Sequence, residues 1–194
     1  MPRFNAYAVI GLLCACLVAC DAGEYAARAD LEPFEDFQTA PESEPETLNW
    51  LDLLPDGEYE RLTELARQET PPNLPLNHDE SAPAAEQFGS FNTVADLDGA
   101  HIRMPGYLIP LDSLAGRTSR RFLLVPYQGA CIHEPPPPPN QVVYVLSQEP
   151  LPTERLWDAW WVEGVMLTAR ADTDLAGAAY TLHLSRREAF SQPR

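Results

Sequence analysis

The stretch FNTVADLDGAHIRMPGYLIPL, residues 91–111, decides the fold class of this chain. Apolar and polar residues alternate on both sides of Asp98-Gly99, a dipeptide typical of the two-residue turn of a β-hairpin. The sequence therefore predicts one strand over residues 93–97 and a second over residues 100–111, paired as a hairpin.

Further apolar runs after this stretch predict the rest of a small β domain. They cover residues 121–126, 142–146, 160–169 and 178–184, with little helix between them. Short strands in this number close naturally into a small antiparallel barrel or a sandwich. We therefore predict a mainly β chain in which residues 89–190 form an antiparallel, OB-like β-barrel.

The N-terminus has the pattern of a bacterial lipoprotein signal. Arg3 precedes an apolar run, residues 6–18, that is shorter than a membrane-spanning helix requires. The run ends in Leu-Val-Ala-Cys at residues 17–20, which resembles a lipobox. We predict a signal peptide over residues 1–19 and lipidation of Cys20; an ordinary secretion signal with an incidental cysteine is the alternative.

This reading places the chain on the periplasmic side of the cell envelope, held by a lipid anchor. Asp21 follows the cysteine, and an aspartate there resembles the signal that retains lipoproteins in the inner membrane, which is favoured slightly over the outer. Residues 20–49 are acidic and contain few large apolar side chains, so they predict a disordered tether.

Residues 50–88 predict a short helix followed by a Pro-rich linker. Apolar side chains recur at helical spacing within residues 56–68, at Tyr59, Leu62, Leu65 and Ala66. We expect this helix to pack on the barrel, with partner binding as the alternative.

The charge of the chain is strongly acidic. It carries 13 Lys+Arg against 29 Asp+Glu, a formal net charge of −16. A nucleic-acid-binding protein needs a basic surface, so no nucleic-acid partner is expected. The same charge disfavours electrostatic adhesion to anionic lipid.

The segment YQGACIHEPPPPPNQ, residues 127–141, carries the candidate chemistry. It joins two apolar strands through a loop much longer than a hairpin turn, and loops of that length tend to be functional. Its prolines favour a stiff polyproline conformation. The motif positions of this loop are Gly129, Ala130, Cys131, His133, Asn140 and Gln141.

Cys131 is expected to be the one free thiol of the mature chain. Processing would remove Cys14 and Cys16, and lipid would occupy Cys20. In an extended backbone Cys131 and His133 point to the same side, so thiol and imidazole would converge. Such a pair suits zinc or copper binding, or an activated nucleophile.

Two residues do not complete a metal site, so further ligands would be needed. The candidates are Glu134, His101, His183 and the distant His78, and the spacing selects none of them. The alternatives are an inert buried thiol at Cys131, a hydrogen-bonded loop anchor at His133, ordinary polar positions for the other histidines, and loop capping by Asn140 and Gln141.

The motif makes a family resemblance visible. The runs GYLIPL at 106–111 and FLLVPY at 122–127, followed by GACIH at 129–133, the prolines and Asn140-Gln141, resemble domain-of-unknown-function family 3299 over roughly residues 90–185. Glu134 departs from the small apolar residue expected there. The resemblance implies a bacterial periplasmic lipoprotein, often encoded beside an ABC transporter of the macrolide-export or lipoprotein-release type.

Three functional hypotheses remain from the sequence. The leading one is a non-catalytic accessory module of an envelope ABC-transport or metal-homeostasis system, which binds zinc at the Cys131–His133 loop or contacts a transporter permease or another envelope protein. The second is a thiol enzyme or redox protein that uses Cys131 with His133. The third is a protein-interaction scaffold that presents the proline segment.

Overall fold

The computed structural model describes residues 34–69, 87–112, 117–131, 136–155 and 158–191. Within them the chain forms one α-helix, α1 (Glu58–Glu69), and strands β1 (Glu46–Thr47), β2 (His101–Pro110), β3 (Thr118–Val125), β4 (Val143–Pro152), β5 (Ala159–Leu167), β6 (Ala171–Asp172), β7 (Gly177–Ala178) and β8 (Tyr180–Ala189). No helix in this part of the chain is long and apolar enough to cross a membrane.

Five of the strands close into a barrel in the order β2-β3-β4-β8-β5, with β5 pairing back to β2. The prediction of a small, mainly β barrel is confirmed, with one refinement. A closed ring of an odd number of strands cannot alternate in direction all the way round. One pair must be parallel, and it is β4 with β8.

The barrel interior is filled by alternate residues of each strand. Ile102, Met104 and Leu108 of β2 point inward, and they meet the inward side chains of the other strands: Phe122, Leu124, Val143, Val145, Val162 and Leu182. Strict alternation of this kind places the intervening residues on the outer face. Burial of these side chains is the main source of the barrel's stability.

Tyr180 ties the chain that precedes the barrel to its interior. The side chain is fully buried, its hydroxyl donates to the carbonyl of Leu53 at 2.7 Å, and it accepts from the amide of Val94 at 2.7 Å. The 3₁₀ helix Trp50–Leu53 and the loop at Val94 are thereby fastened to the barrel.

The predicted hairpin around Asp98-Gly99 is wrong. Residues 93–97 are not a strand, and Ala95–Leu97 forms a 3₁₀ turn that buries Leu97. The Gly99 amide, at φ +77°, bonds instead to the carbonyl of Met166 at 2.8 Å. β5 supplies a longer ladder for β2, from His101 opposite Val165 to Tyr107 opposite Ala159, and so takes the place of the local partner.

The predicted tether of residues 20–49 also differs where the structure describes it. Residues 46–47 form β1, which pairs in parallel with β2, and Leu48 is buried in the core. A few apolar side chains in an acidic stretch are therefore enough to hold residues 34–49 on the barrel. The predicted signal peptide and Cys20 lie outside the described residues.

The short helix predicted over residues 56–68 is confirmed as α1. The described end of the linker, residues 87–88, contacts the proline segment through Gln87, whose side chain donates to the carbonyl of Pro137 at 2.7 Å. Residues 70–86 of the predicted linker lie outside the described part.

Candidate functional site: the proline loop and its groove

The proline segment is fastened to the barrel at several points. Besides Pro137, the Gln87 side chain donates to the Gly177 carbonyl at 3.0 Å and accepts from the Gly177 amide at 2.8 Å. Pro139 begins a 3₁₀ turn, and its carbonyl accepts from the amide of Ala179 at 2.8 Å. Pro138, at φ −50° and ψ 146°, lies near the polyproline region. The described prolines thus form an anchored, stiff wall.

Asn140 lies at the centre of a buried polar cluster. Its side chain is fully buried and donates to the Glu58 carboxylate at 3.3 Å. The same carboxylate accepts a hydrogen bond from the hydroxyl of Ser90 and another, at 3.2 Å, from the side-chain amide of Asn92. Arg61 approaches it at 3.4 Å. A loop motif residue therefore holds the start of α1 against the barrel.

The electrostatics of this cluster favour an ionised Glu58. Burial by itself would raise the pKa of this carboxyl, but hydrogen bonds from Ser90 and Asn92 and the charge of Arg61 lower the pKa below its ordinary value. The Oδ1 atom of Asn140 is buried and makes no hydrogen bond within the described residues.

Gln141 also joins the loop to the segment that precedes α1. Its side chain donates to the carbonyl of Trp50 at 2.8 Å and to the carbonyl of Asn140 at 3.0 Å. The bond to the Asn140 carbonyl is the loop cap that the sequence predicted. The bond to the Trp50 carbonyl instead joins the loop to a distant segment. Asn140 and Gln141 together clamp residues 50–58 onto the barrel, which the sequence did not predict because both contacts are distant along the chain.

Cys131 lies at the other end of the loop. Its backbone has φ 63°, which is left-handed rather than extended, so the expected convergence of Cys131 and His133 loses its geometric basis. The thiol packs on a second apolar cluster outside the barrel interior, with Leu123, Ala130 and Val142 among its members. Burial raises the pKa of this thiol to about 11. His133 and Glu134 lie outside the described residues.

The loop's two small motif residues serve the chain reversal before Cys131. Gly129 has φ +87°, a conformation that favours glycine, and Ala130 is fully buried in the second cluster. Together they turn the chain after β3 and bring the thiol back over the outer face of the barrel.

His101 and His183 lie elsewhere, on the barrel wall. Both are register partners of Val165, one on β2 and the other on β8. The His183 Nδ1 atom accepts the Gln38 amide at 2.7 Å, and burial lowers the pKa of this imidazole although Asp36 opposes the shift.

The environment of His101 is different. Its Nε2 atom is 3.4 Å from a carboxylate oxygen of Glu163, and neither ring nitrogen makes a hydrogen bond within the described part. Among the residues that the structure describes, no three His, Cys, Asp or Glu side chains gather as a metal site.

A groove of about 410 Å³ runs along the proline wall. It is lined by Phe88, Pro126, Tyr127, Pro136, Pro137, Pro138 and Gln141. Tyr127 is 44% exposed there. The sequence predicted that the proline run is stiff. It did not predict the groove, which forms because Phe88 and Pro126 lie beside that run.

A larger depression, of about 710 Å³, lies between the end of β2, the outer faces of β3 and β4, and the loop after β5. OB-type barrels commonly bind ligands in this region. Here Asp172 and Asp174 line it beside Arg121 and Tyr144. Two carboxylates at the rim are unfavourable for a phosphate backbone.

Comparison with known proteins agrees with the fold and the motif. The profile of the family described as "Protein of unknown function (DUF3299)" matches residues 50–189. The crystal structure of a DUF3299 family protein from Pseudomonas aeruginosa PAO1 is similar, with 33% identity, a TM-score of 0.60, and coverage of 78% of this chain and 100% of that one. No protein of curated function matches. The chain belongs to the DUF3299 family.

Proposed function

We propose that this chain is a lipid-anchored periplasmic binding module, an accessory of an envelope transport system, and that its proline-lined groove holds a segment of a partner protein. The observation that carries the proposal is the groove itself. One wall is made of Pro136, Pro137 and Pro138, and Tyr127 stands exposed beside it.

The rigidity of this wall favours binding. Prolines lose little conformational entropy when a partner docks, and the Gln87 and Ala179 hydrogen bonds already hold the segment in place. Exposed tyrosines are among the side chains that contribute most to protein interfaces. The groove therefore combines a preorganised apolar wall with an aromatic contact residue.

The state of Cys131 supports a non-catalytic role. A thiol nucleophile needs a lowered pKa, whereas burial raises the pKa of Cys131 to about 11. At neutral pH the thiol is then protonated and behaves as a small apolar side chain.

A photocrosslinking amino acid at Tyr127, introduced into the full chain in its own bacterium, tests the proposal. Leu175 is a matched control, since it is 38% exposed and lines the other depression. The expected result is a defined adduct with an envelope protein from position 127 and none from 175. Equal labelling from both positions, or no adduct from 127, would contradict groove binding.

Zinc binding at the Cys131 loop is the second candidate function. The sequence supports it, because the thiol of Cys131 and the imidazole of His133, two residues apart, are ligand types that zinc prefers. Metal analysis of the purified chain tests it. Stoichiometric zinc that is lost in Cys131→Ala would support this function, and metal-free protein whose thermal stability does not change on adding zinc would exclude it.

A further inference from the structure

A short segment before β1 crosses the outer face of β3, β4 and β8. The Phe34 ring lies under the guanidinium groups of Arg120 and Arg121, at 4.4 and 5.5 Å from its centroid. The Phe34 backbone exchanges two hydrogen bonds with the Gln148 side chain, at 3.3 and 3.4 Å. This pattern combines cation–π contacts with recognition of an extended backbone.

The other end of the segment contacts β8. The Phe37 ring is stacked on His183, with centroids 4.8 Å apart and planes inclined by 10°. The next amide, of Gln38, donates to the His183 Nδ1 atom at 2.7 Å. Two aromatic side chains three positions apart therefore contact the same outer face, and the residues between them are Glu35 and Asp36.

These contacts are shallow. Phe34 and Phe37 remain partly exposed, and Glu35, Asp36 and Gln38 are exposed. Leu48, further along, is buried in the barrel core and stays fixed by β1 if the segment leaves. The face beneath the segment is formed largely by arginine, glutamine and histidine side chains, so its exposure to water carries no large apolar penalty.

Charge also selects what can occupy this face. Arg120, which is buried, and Arg121, which is 48% exposed and lies 3.6 Å from Asp112, are adjacent on β3. The chain has a formal net charge of −16, but the two arginines and Asp112 together leave a local positive charge. An acidic ligand is therefore attracted to this pair of arginines, although the negative charge of the chain as a whole repels it. Glu35 and Asp36 give the chain's own segment that complementary charge.

We propose that the outer face of β3, β4 and β8 is a binding surface for an extended partner peptide with two aromatic side chains separated by two acidic residues, and that Phe34–Gln38 occupies it until such a peptide displaces it. This surface is separate from the proline-lined groove. The chain's own segment lowers the apparent affinity of the partner by the fraction of time that it is bound.

A labelled peptide with the sequence of residues 31–40, LEPFEDFQTA, is the probe. Its affinity is measured for the detergent-solubilised full chain and for the double variant Phe34→Ala/Phe37→Ala, whose own segment no longer competes. The expected result is binding about tenfold tighter to the double variant than to the wild-type chain. A peptide with both phenylalanines replaced by alanine is expected not to bind.

Arg121→Gln and Arg170→Gln, each added to the double variant, form a matched pair. Both arginines are about half exposed, at 48% and 56%, but Arg170 contacts Phe91 and Asp172 rather than the proposed face. Arg121→Gln should weaken peptide binding several-fold and Arg170→Gln should leave it unchanged. Equal affinity of the double variant and the wild type, or equal effects of the two arginine changes, would overturn the proposal.

Hydrogen exchange provides a measurement that does not depend on folding of the double variant. Saturating peptide should accelerate exchange of the Gln38 amide in the wild-type chain, because displacement breaks its bond to His183. Unchanged exchange at Gln38 under saturating peptide would contradict displacement.

Discussion

His101 and His183 flank the same residue, Val165, in the wall of the barrel, although they belong to strands far apart in the chain. Cys131 packs on the separate cluster of Leu123 and Val142. The candidate ligands suggested by the sequence therefore divide between two places, and the histidine pair belongs to the wall rather than to the proline loop.

The contact of residues 34–38 with the barrel should depend on pH through His183. Burial lowers the pKa of this imidazole in the closed state, so the open state binds a proton more readily. The stabilisation is then complete above the ordinary histidine pKa of about 6.5 and is lost as the pH falls through the lowered value. Gln38 amide exchange against pH measures this.

His183→Gln should remove most of that pH dependence, because a glutamine side chain can accept the Gln38 amide but does not titrate in this range. His101→Gln serves as the control, and it should leave the exchange profile of Gln38 unchanged. A profile that stays flat through the acid range in the wild-type chain would contradict the prediction.

Glu58→Ala should destabilise the fold by about 1–3 kcal/mol, because it leaves the buried side-chain amide of Asn140 without its acceptor and also removes the hydrogen bond from the exposed Asn92. Glu60→Ala is the control on the same helix; Glu60 is exposed, and a change within about 0.5 kcal/mol is expected. Urea unfolding monitored by tryptophan fluorescence gives both values.

Glu58 also gives the fold an acid-sensitive component. The pKa of Glu58 is lowered in the folded chain, so its stabilisation is present above the ordinary carboxyl pKa of 4.5 and is lost as the pH falls below that value. The wild-type chain should lose more stability than Glu58→Gln between neutral pH and this range. Parallel losses in the two chains would show that Glu58 does not contribute to the acid sensitivity.

The Cys131 thiol should react slowly with iodoacetamide at neutral pH. Burial raises its pKa to about 11, so the alkylation rate should keep rising through the alkaline range while the fold persists. Mass spectrometry of the peptide that contains Cys131 measures the rate, and the urea-unfolded chain provides the reference. A midpoint near the ordinary thiol pKa of about 8.5 in the folded chain would show that burial does not raise this pKa, and a midpoint well below it would indicate an activated thiol.

Tyr180→Phe should cost about 1–3 kcal/mol, because the lost hydroxyl leaves the Leu53 carbonyl and the Val94 amide without their common partner. Tyr59→Phe is the matched control, since the Tyr59 side chain is 57% exposed on α1. Thermal unfolding should show a lower midpoint for the first variant and an unchanged midpoint for the second.

Local patterns in the sequence predicted the strands of the barrel and the helix. Alternation of apolar side chains identifies a strand because the period of two is a property of the extended backbone itself. The same pattern does not identify the partner strand. Residues 93–97 alternate as a strand would, yet β5 pairs with β2 in their place.

The candidate site was likewise predicted only in part from the sequence. Residue identities alone predicted a stiff loop with a thiol over residues 127–141, because proline geometry is a local property. The tertiary structure was needed to show that Asn140 binds Glu58, that the Phe37 ring stacks on His183, and that Cys131 is partly buried against a cluster that contains neither barrel histidine. Each of these contacts joins residues distant in the chain, and only closure of the barrel brings them together.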